Sequence, residues 1–228
     1  MSRCSWRATS PATSPGRRLP ATADTRWLPD RAQHQRGSNM NMNMNLKWGQ
    51  PSDGIIQMAF VVDDIHAAMS RYGSALHVGP WFLAEHFPFE KLTYRGVPVA
   101  PDITLCLGFS GSMTIELIQQ NCASPSPYLD AAGKPRTGFH HWGVAATPDA
   151  YRGRLDALTG QGYPVILDAV VGGGSRAAYV DAHSALGGFI ELMEITEPVE
   201  ALFTQMRDSS TRGYPAGTVL PFGGPLGA

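Results

Sequence analysis

Four side chains in this sequence are of the right type, in the right surroundings, to hold a metal ion. Glu116 lies in Thr114-Ile115-Glu116-Leu117-Ile118 and Glu191 in Phe189-Ile190-Glu191-Leu192-Met193. Each carboxylate sits mid-strand between aliphatic residues, where burial is costly unless it is paired or bound to a cation. His141 in Phe139-His140-His141-Trp142-Gly143-Val144 and Gln57 in Ile55-Ile56-Gln57-Met58-Ala59 stand in runs of the same kind. One nitrogen and three oxygen donors suit a divalent ion such as Zn, Ni, Co, Mn or Fe, with water completing the sphere. His140 alternates with His141, so pleating sends it to the opposite face as a packing residue. Glu194, three residues beyond Glu191, is expected on the other face and solvated.

These residues need elements to position them, and the chain supplies two similar sets. Ile55–Val62 reads as a strand, and Asp63-Asp64 then caps a helix with Ile65, Ala68, Met69, Tyr72 and Leu76 at helical spacing. Gly79-Pro80 turns the chain into Trp81-Phe82-Leu83-Ala84, a loop is expected over 87–101, and strands follow at 103–109 and 113–120. After a Ser- and Pro-rich linker (124–137) the order returns. A strand at 139–146 precedes Thr147-Pro148-Asp149 and a helix facing its core with Tyr151, Leu155 and Leu158. Strands near 165–170, 177–181 and 189–195 complete the second set. A repeat of this size indicates duplication of a small α+β unit, with module 54–121 followed by module 138–197. Overlaying the first strands puts Gln57 on His141, and overlaying the last strands puts Glu116 on Glu191.

The 228 residues are 43% hydrophobic, enough for a proper core. Residues 1–50 carry seven Arg and one Lys against Asp24 and Asp30, whereas 51–228 carry ten Lys and Arg against seventeen Asp and Glu. An acidic main domain argues against nucleic acid as partner. Residues 1–50 lack periodicity and are expected to be a disordered extension, preceding the main domain at 51–197. An organellar transit peptide and initiation at Met40, Met42 or Met44 are alternative readings of that leader. Residues 198–228 read as a tail that starts amphipathic and lies over the surface or a partner subunit. Three scattered cysteines match no zinc or disulfide pattern, and no window is apolar enough to span a membrane. The expectation is therefore a cytoplasmic protein that touches no membrane.

Taken in order, Gln57-Met58-Ala59-Phe60-Val61-Val62-Asp63-Asp64-Ile65, Ile115-Glu116-Leu117-Ile118, His140-His141-Trp142-Gly143-Val144 and Gly188-Phe189-Ile190-Glu191-Leu192 resemble the vicinal oxygen chelate superfamily. That superfamily contains glyoxalase I, methylmalonyl-CoA epimerase, extradiol dioxygenases and bleomycin-resistance proteins. The resemblance spans about residues 54–197. It implies two tandem βαββ modules forming a cupped mixed β-sheet with helices outside, paired within one chain or across two, with a homodimer as the expected assembly. It places the metal ligands on Gln57, Glu116, His141 and Glu191. A Gln/Glu/His/Glu set is similar to one branch of glyoxalase I, whereas the epimerase branch tends to place His first and Gln second. The glutathione-binding basic residues of glyoxalase I have no counterpart here, so its substrate does not carry over.

The implied activity is that of a metal-dependent lyase, isomerase or epimerase acting on a small molecule, by proton transfer next to a carbonyl through a metal-bound enediolate. Glu191 is the expected base and Glu116 the second carboxylate. Tyr94, Arg95 and Tyr179 are candidate substrate contacts from segments that close the cup. Two other readings compete. An iron-dependent ring-cleaving dioxygenase would want two His and one carboxylate, with only His141 placed for it. A metal-free binding or resistance protein of the same superfamily would often lack the ligand set.

Overall fold

The computed structural model of the protein describes residues 45–215 and 217–223. The first half forms β1 (Ile55–Val61), α1 (Ile65–Leu76), β2 (Trp81–Ala84), β3 (Phe89–Tyr94), β4 (Val97–Pro98), β5 (Ile103–Ser110) and β6 (Met113–Gln120). The second forms β7 (Gly138–Ala146), α2 (Pro148–Gly160), β8 (Val165–Val171), β9 (Ser175–Asp181), α3 (His183–Leu186) and β10 (Phe189–Glu194), then α4 (Glu197–Ser210) and β11 (Val219–Pro221). Local signals act as expected. Asp64 Oδ1 accepts from the Ala67 N–H at 2.9 Å to cap α1. Gly111, at φ 65°, turns β5 straight into β6 so that Ser110 pairs with Met113.

The eleven strands among the described residues join one mixed sheet in the order β11-β2-β5-β6-β1-β7-β10-β9-β8-β3-β4. Its middle eight strands are the two repeats, β2-β5-β6-β1 and β7-β10-β9-β8, joined within one chain where β1 runs antiparallel to β7. The expected α+β architecture is the one observed. Strand alternation divides its two faces. Outward, Ile115 and Leu117 pack with Ile65, Ala68 and Met69 of α1, while Ala146, Ala178 and Leu192 pack with Tyr151 of α2. Inward, Ala59, Leu105, Ile118, Leu167 and Phe189 share the core that lines the cup. Among the described residues, no helix is long and apolar enough to cross a membrane.

Three boundaries differ from the sequence reading. The expected loop over 87–101 contains the β3–β4 hairpin, turning at Arg95 and Gly96 with φ of 51° and 77°, and β3 pairs antiparallel with β8 of the other repeat. Its strand form depends on that distant edge, which local pattern does not reveal.

Of the extension expected over 1–50, residues 1–44 lie outside the described residues, and order begins before Gly54. Leu46 and Trp48 are buried with Phe203 and Met206 of α4. The Trp48 and Phe203 rings lie 5.1 Å apart, and Glu200 accepts from the Lys47 N–H at 2.9 Å. Two apolar residues are too short a run to show periodicity, and they gain burial only from a helix far down the chain. The segment expected as a tail from residue 198 is part of the body. It belongs to α4 and to β11, which runs parallel to β2.

Candidate metal centre

The register across the middle strands carries the donors on two adjacent rows. In one row Ala59 of β1 lies between Glu116 of β6 and His141 of β7. In the other Gly143 of β7 lies between Gln57 of β1 and Glu191 of β10. Small residues between the donors leave room above the sheet. A Cβ on Gly143 would come within 2.7 Å of Gln57 Cβ and 2.9 Å of Met193 Cε. The sequence shows Ala59 and Gly143, but their role follows only from the pairing.

The structure brings all four predicted donors together. His141 Nε2 lies 3.0 Å from Glu191 Oε2 and 3.3 Å from Glu116 Oε2. Gln57 Nε2 donates to Glu116 Oε2 at 3.0 Å and to Glu191 Oε2 at 3.4 Å, and lies 3.5 Å from His141 Nε2. Donor atoms on a metal sphere with bonds of about 2.1 Å are about 3.4 Å apart in a tetrahedron and about 3.0 Å apart at cis octahedral positions. The two distances from His141 Nε2 to the carboxylate oxygens lie in that range, and the Gln57 amide lies within 3.5 Å of the same three atoms. All four side chains are buried, and one ligand atom each from Glu116, His141 and Glu191 falls within a span of 4.8 Å.

Two carboxylates in an apolar cup demand positive charge, and His141 provides it. Burial alone would lower its pKa, but the charges and hydrogen bonds of Glu191 and Glu116 outweigh burial and hold the imidazole up at about 9. Burial raises the Glu116 carboxyl, with the His141 charge opposing the shift. The two carboxylates have different neighbours: in the register Glu116 stands beside Leu107 of β5, and Glu191 beside Tyr179 of β9.

His140 does not point away as alternation predicts. β7 slips register against β1, so that Ala59 pairs with His141 and Phe60 with Phe139, leaving His140 unpaired in a bulge. The bulge brings His140 Nδ1 within 2.9 Å of His141 Nδ1, while His140 Nε2 lies 3.1 Å from the Pro127 carbonyl oxygen. A carbonyl can only accept, so His140 Nε2 carries hydrogen. Burial lowers the His140 pKa well below the usual histidine range, leaving it neutral with Nδ1 as acceptor. His141 therefore donates from Nδ1 and directs Nε2 at the carboxylates.

Above the donors lies a cavity of about 610 Å³, lined mainly by aliphatic and aromatic side chains. Tyr179, a predicted substrate contact, lines it with its ring centroid 4.8 Å from that of His141. The other two predicted contacts lie elsewhere. Tyr94 and Arg95 line a separate groove with Asp130 and Arg136, because the β3–β4 hairpin carries them to the far edge of the sheet.

Tyr128, from the stretch read as a linker, was not foreseen as a site residue; its hydroxyl lies 3.2 Å from that of Tyr179. Burial raises both phenol pKa values, so both remain O–H donors. An aromatic residue within a Ser- and Pro-rich stretch is the only sequence signal for it. Glu194 is not solvated. Arg176 holds it with Nε at 2.9 Å and Nη2 at 2.6 Å, which pulls the carboxyl below its usual range. Arg176 in turn lies over the Tyr151 ring, 4.4 Å from its centroid.

A hypothetical protein from Bacillus halodurans has 18% identity and a TM-score of 0.46, with 64% of this chain and 96% of that one covered. Methylmalonyl-CoA epimerase from Mycobacterium tuberculosis has 21% identity and a TM-score of 0.45, with 65% and 91% covered. No curated protein matches the chain. The family model described as Glyoxalase/Bleomycin resistance protein/Dioxygenase superfamily matches residues 56–179, a stretch that holds Gln57, Glu116 and His141 and ends before Glu191. That match covers more than half of the sequence, and the chain belongs to the glyoxalase/bleomycin resistance protein/dioxygenase superfamily.

Proposed function

We propose that the protein is a divalent-metal-dependent isomerase, lyase or epimerase that moves a proton at a carbon next to a carbonyl. The observation that carries this reading is the convergence of one imidazole, one amide and two carboxylates, at 3.0–3.5 Å, on the floor of an apolar cavity. Gln57, Glu116, His141 and Glu191 would hold the ion, with Gln57 presenting its amide oxygen. The ion would supply Lewis acidity to substrate oxygens, lowering the barrier to loss of a neighbouring proton.

The protein residues do the rest. Glu191 removes the proton and returns it to the same or the adjacent carbon, with Glu116 as the second carboxylate. The apolar walls exclude water and keep a carboxylate basic. Tyr128 and Tyr179 lie where an O–H can donate to a substrate oxygen as negative charge grows on it. Against the ring-cleaving reading stands the His140 arrangement. Both its nitrogens are engaged, with His141 and with the Pro127 carbonyl, so one imidazole remains to ligate where a two-histidine triad needs two.

The test combines metal quantitation with exchange chemistry. Purified protein is expected to hold one divalent ion per chain and to catalyse hydrogen–deuterium exchange next to the carbonyl in a panel of α-hydroxyketones and thioesters in D₂O. Glu191→Gln should keep the ion and lose exchange. Undiminished exchange in that variant, or a wild-type protein that binds no divalent ion, would sink the reading.

A further inference from the structure

We propose that the substrate of this site is uncharged and mainly hydrocarbon, with its two neighbouring oxygens at one end. The inference rests on the metal-dependent reading above and concerns what the rest of the cavity accepts. The first argument is charge. Arg176 is the only cationic side chain among the described residues that line the cavity. Glu194 accepts from its Nε and Nη2 at 2.9 and 2.6 Å and the Tyr151 ring lies against the guanidinium, so its charge is already paired. On the floor Glu116 and Glu191 are offset by His141 or by the ion, and Glu85 is the further carboxylate on the lining. A phosphate or carboxylate carried away from the donor floor would find no unpaired cation on the walls to offset its loss of water.

The second argument is the distribution of polarity. The hydroxyls of Tyr128 and Tyr179 pair with each other, and the Tyr179 ring lies against His141 on the donor floor. Above them the walls are mainly apolar. Leu105 of β5 and Leu167 of β8 stand on the cup itself. The other wall comes from the C-terminal segment, where Leu202 and Phe203 of α4 and Phe222 after β11 also line the cavity. Phe222 is pinned by its N–H to the Leu83 carbonyl at 3.0 Å and by a perpendicular ring contact with Phe87, centroids 6.0 Å apart. A cavity with polar groups at its floor and aromatic and aliphatic walls binds a molecule of the same polarity pattern.

The experiment compares three probes by isothermal titration calorimetry on full-length protein, metal-loaded and metal-stripped. They are benzoin, an uncharged α-hydroxyketone with two aryl groups, and the charged thioesters acetyl coenzyme A and S-lactoylglutathione. Benzoin should bind the loaded protein at least 100-fold more tightly than either charged probe. Phe222→Ala should weaken benzoin about tenfold by removing one partly exposed aromatic wall, with no effect on the charged probes. Leu167→Asp should abolish benzoin binding. Because Leu167 is buried, that result counts only with a native circular dichroism spectrum, and Phe222→Ala carries the test otherwise.

A charged probe binding as tightly as benzoin would overturn the proposal. So would a folded wild-type protein that ignores benzoin, or benzoin binding that Phe222→Ala leaves unchanged. The two readings separate on metal content. Benzoin binding to a protein that takes up no divalent ion would end the metal-dependent reading and leave the substrate class standing. Tight binding of a charged probe to loaded protein would do the reverse.

Discussion

Replacing His140 tests whether its contact with His141 sets the metal affinity. In the native arrangement the Pro127 carbonyl accepts from His140 Nε2, and His140 Nδ1 accepts from His141 Nδ1 at 2.9 Å. The relay fixes which His141 nitrogen faces Glu116 and Glu191. In His140→Ala the His141 Nδ1–H loses its acceptor in a site where His141 is fully buried. An unsatisfied buried donor costs about 1–3 kcal/mol. The alternative tautomer, with hydrogen on Nε2, cannot ligate through the nitrogen that faces Glu116 and Glu191.

Loss of such a ligand-orienting partner weakens metal binding by about 10–100-fold, or about 1.4–2.7 kcal/mol. Competition calorimetry against a chelator would measure it, with circular dichroism to confirm the fold. His140→Phe fills the volume without an acceptor and should behave like His140→Ala. His140→Gln keeps an acceptor oxygen and should recover part of the affinity. A metal Kd within twofold of wild type in folded His140→Phe would refute the reasoning, because the ring would then be packing alone.

Metal affinity should rise with pH. The His141 imidazole, held up at about 9, must release a proton before it can ligate, so apparent affinity should fall about tenfold per unit below pH 9 for each proton released; titrations in buffers of different ionisation enthalpy count those protons. Without metal the sign for stability is the opposite. The raised His141 pKa stabilises the fold fully below its unfolded value of about 6.5, and that contribution disappears as pH rises through about 9, which denaturation midpoints would show. Gly143→Ala places a Cβ 2.7 Å from Gln57 Cβ, so it should lower stability by about 1–3 kcal/mol and weaken metal binding through displaced Gln57, measured by thermal melts and calorimetry. Trp48→Ala removes a side chain that is only 3% exposed and rests on Phe203, and should cost about 3–5 kcal/mol in urea denaturation.

Much of the site was legible because it depends on period two and on duplication. Each of Gln57, Glu116, His141 and Glu191 is a polar residue mid-strand in an apolar run, and the repeat aligns them in pairs. The parts that were not legible depend on relations between strands. The His140 bulge is a register slip between β7 and β1, invisible in β7 alone. Glu194 is buried because Arg176 from β9 reaches it, and neither residue signals the other in sequence. Tyr94 and Arg95 looked like cup-closing residues while 87–101 read as a loop. Once that stretch is a hairpin on the edge of β8, they face a different groove. The cavity wall from Leu202, Phe203 and Phe222 was missed because a short amphipathic run ending in Pro and Gly resembles a loose end until its packing partners are known.

The β3–β4 hairpin has a consequence for how the molecule can come apart. By chain order β3 belongs to the first repeat, yet it pairs with β8 of the second, while β1 and β7 join the repeats at the centre of the sheet. The two halves are thus stitched at two seams. Unzipping at β1–β7 would not free them, and an exchange of halves between two copies would have to break both seams together. Both seams link residues far apart in the chain, and loops that long must close before either rewards folding, which favours slow and concerted assembly. The cavity wall formed by Leu202, Phe203 and Phe222 belongs to neither seam, so it can change without parting the repeats.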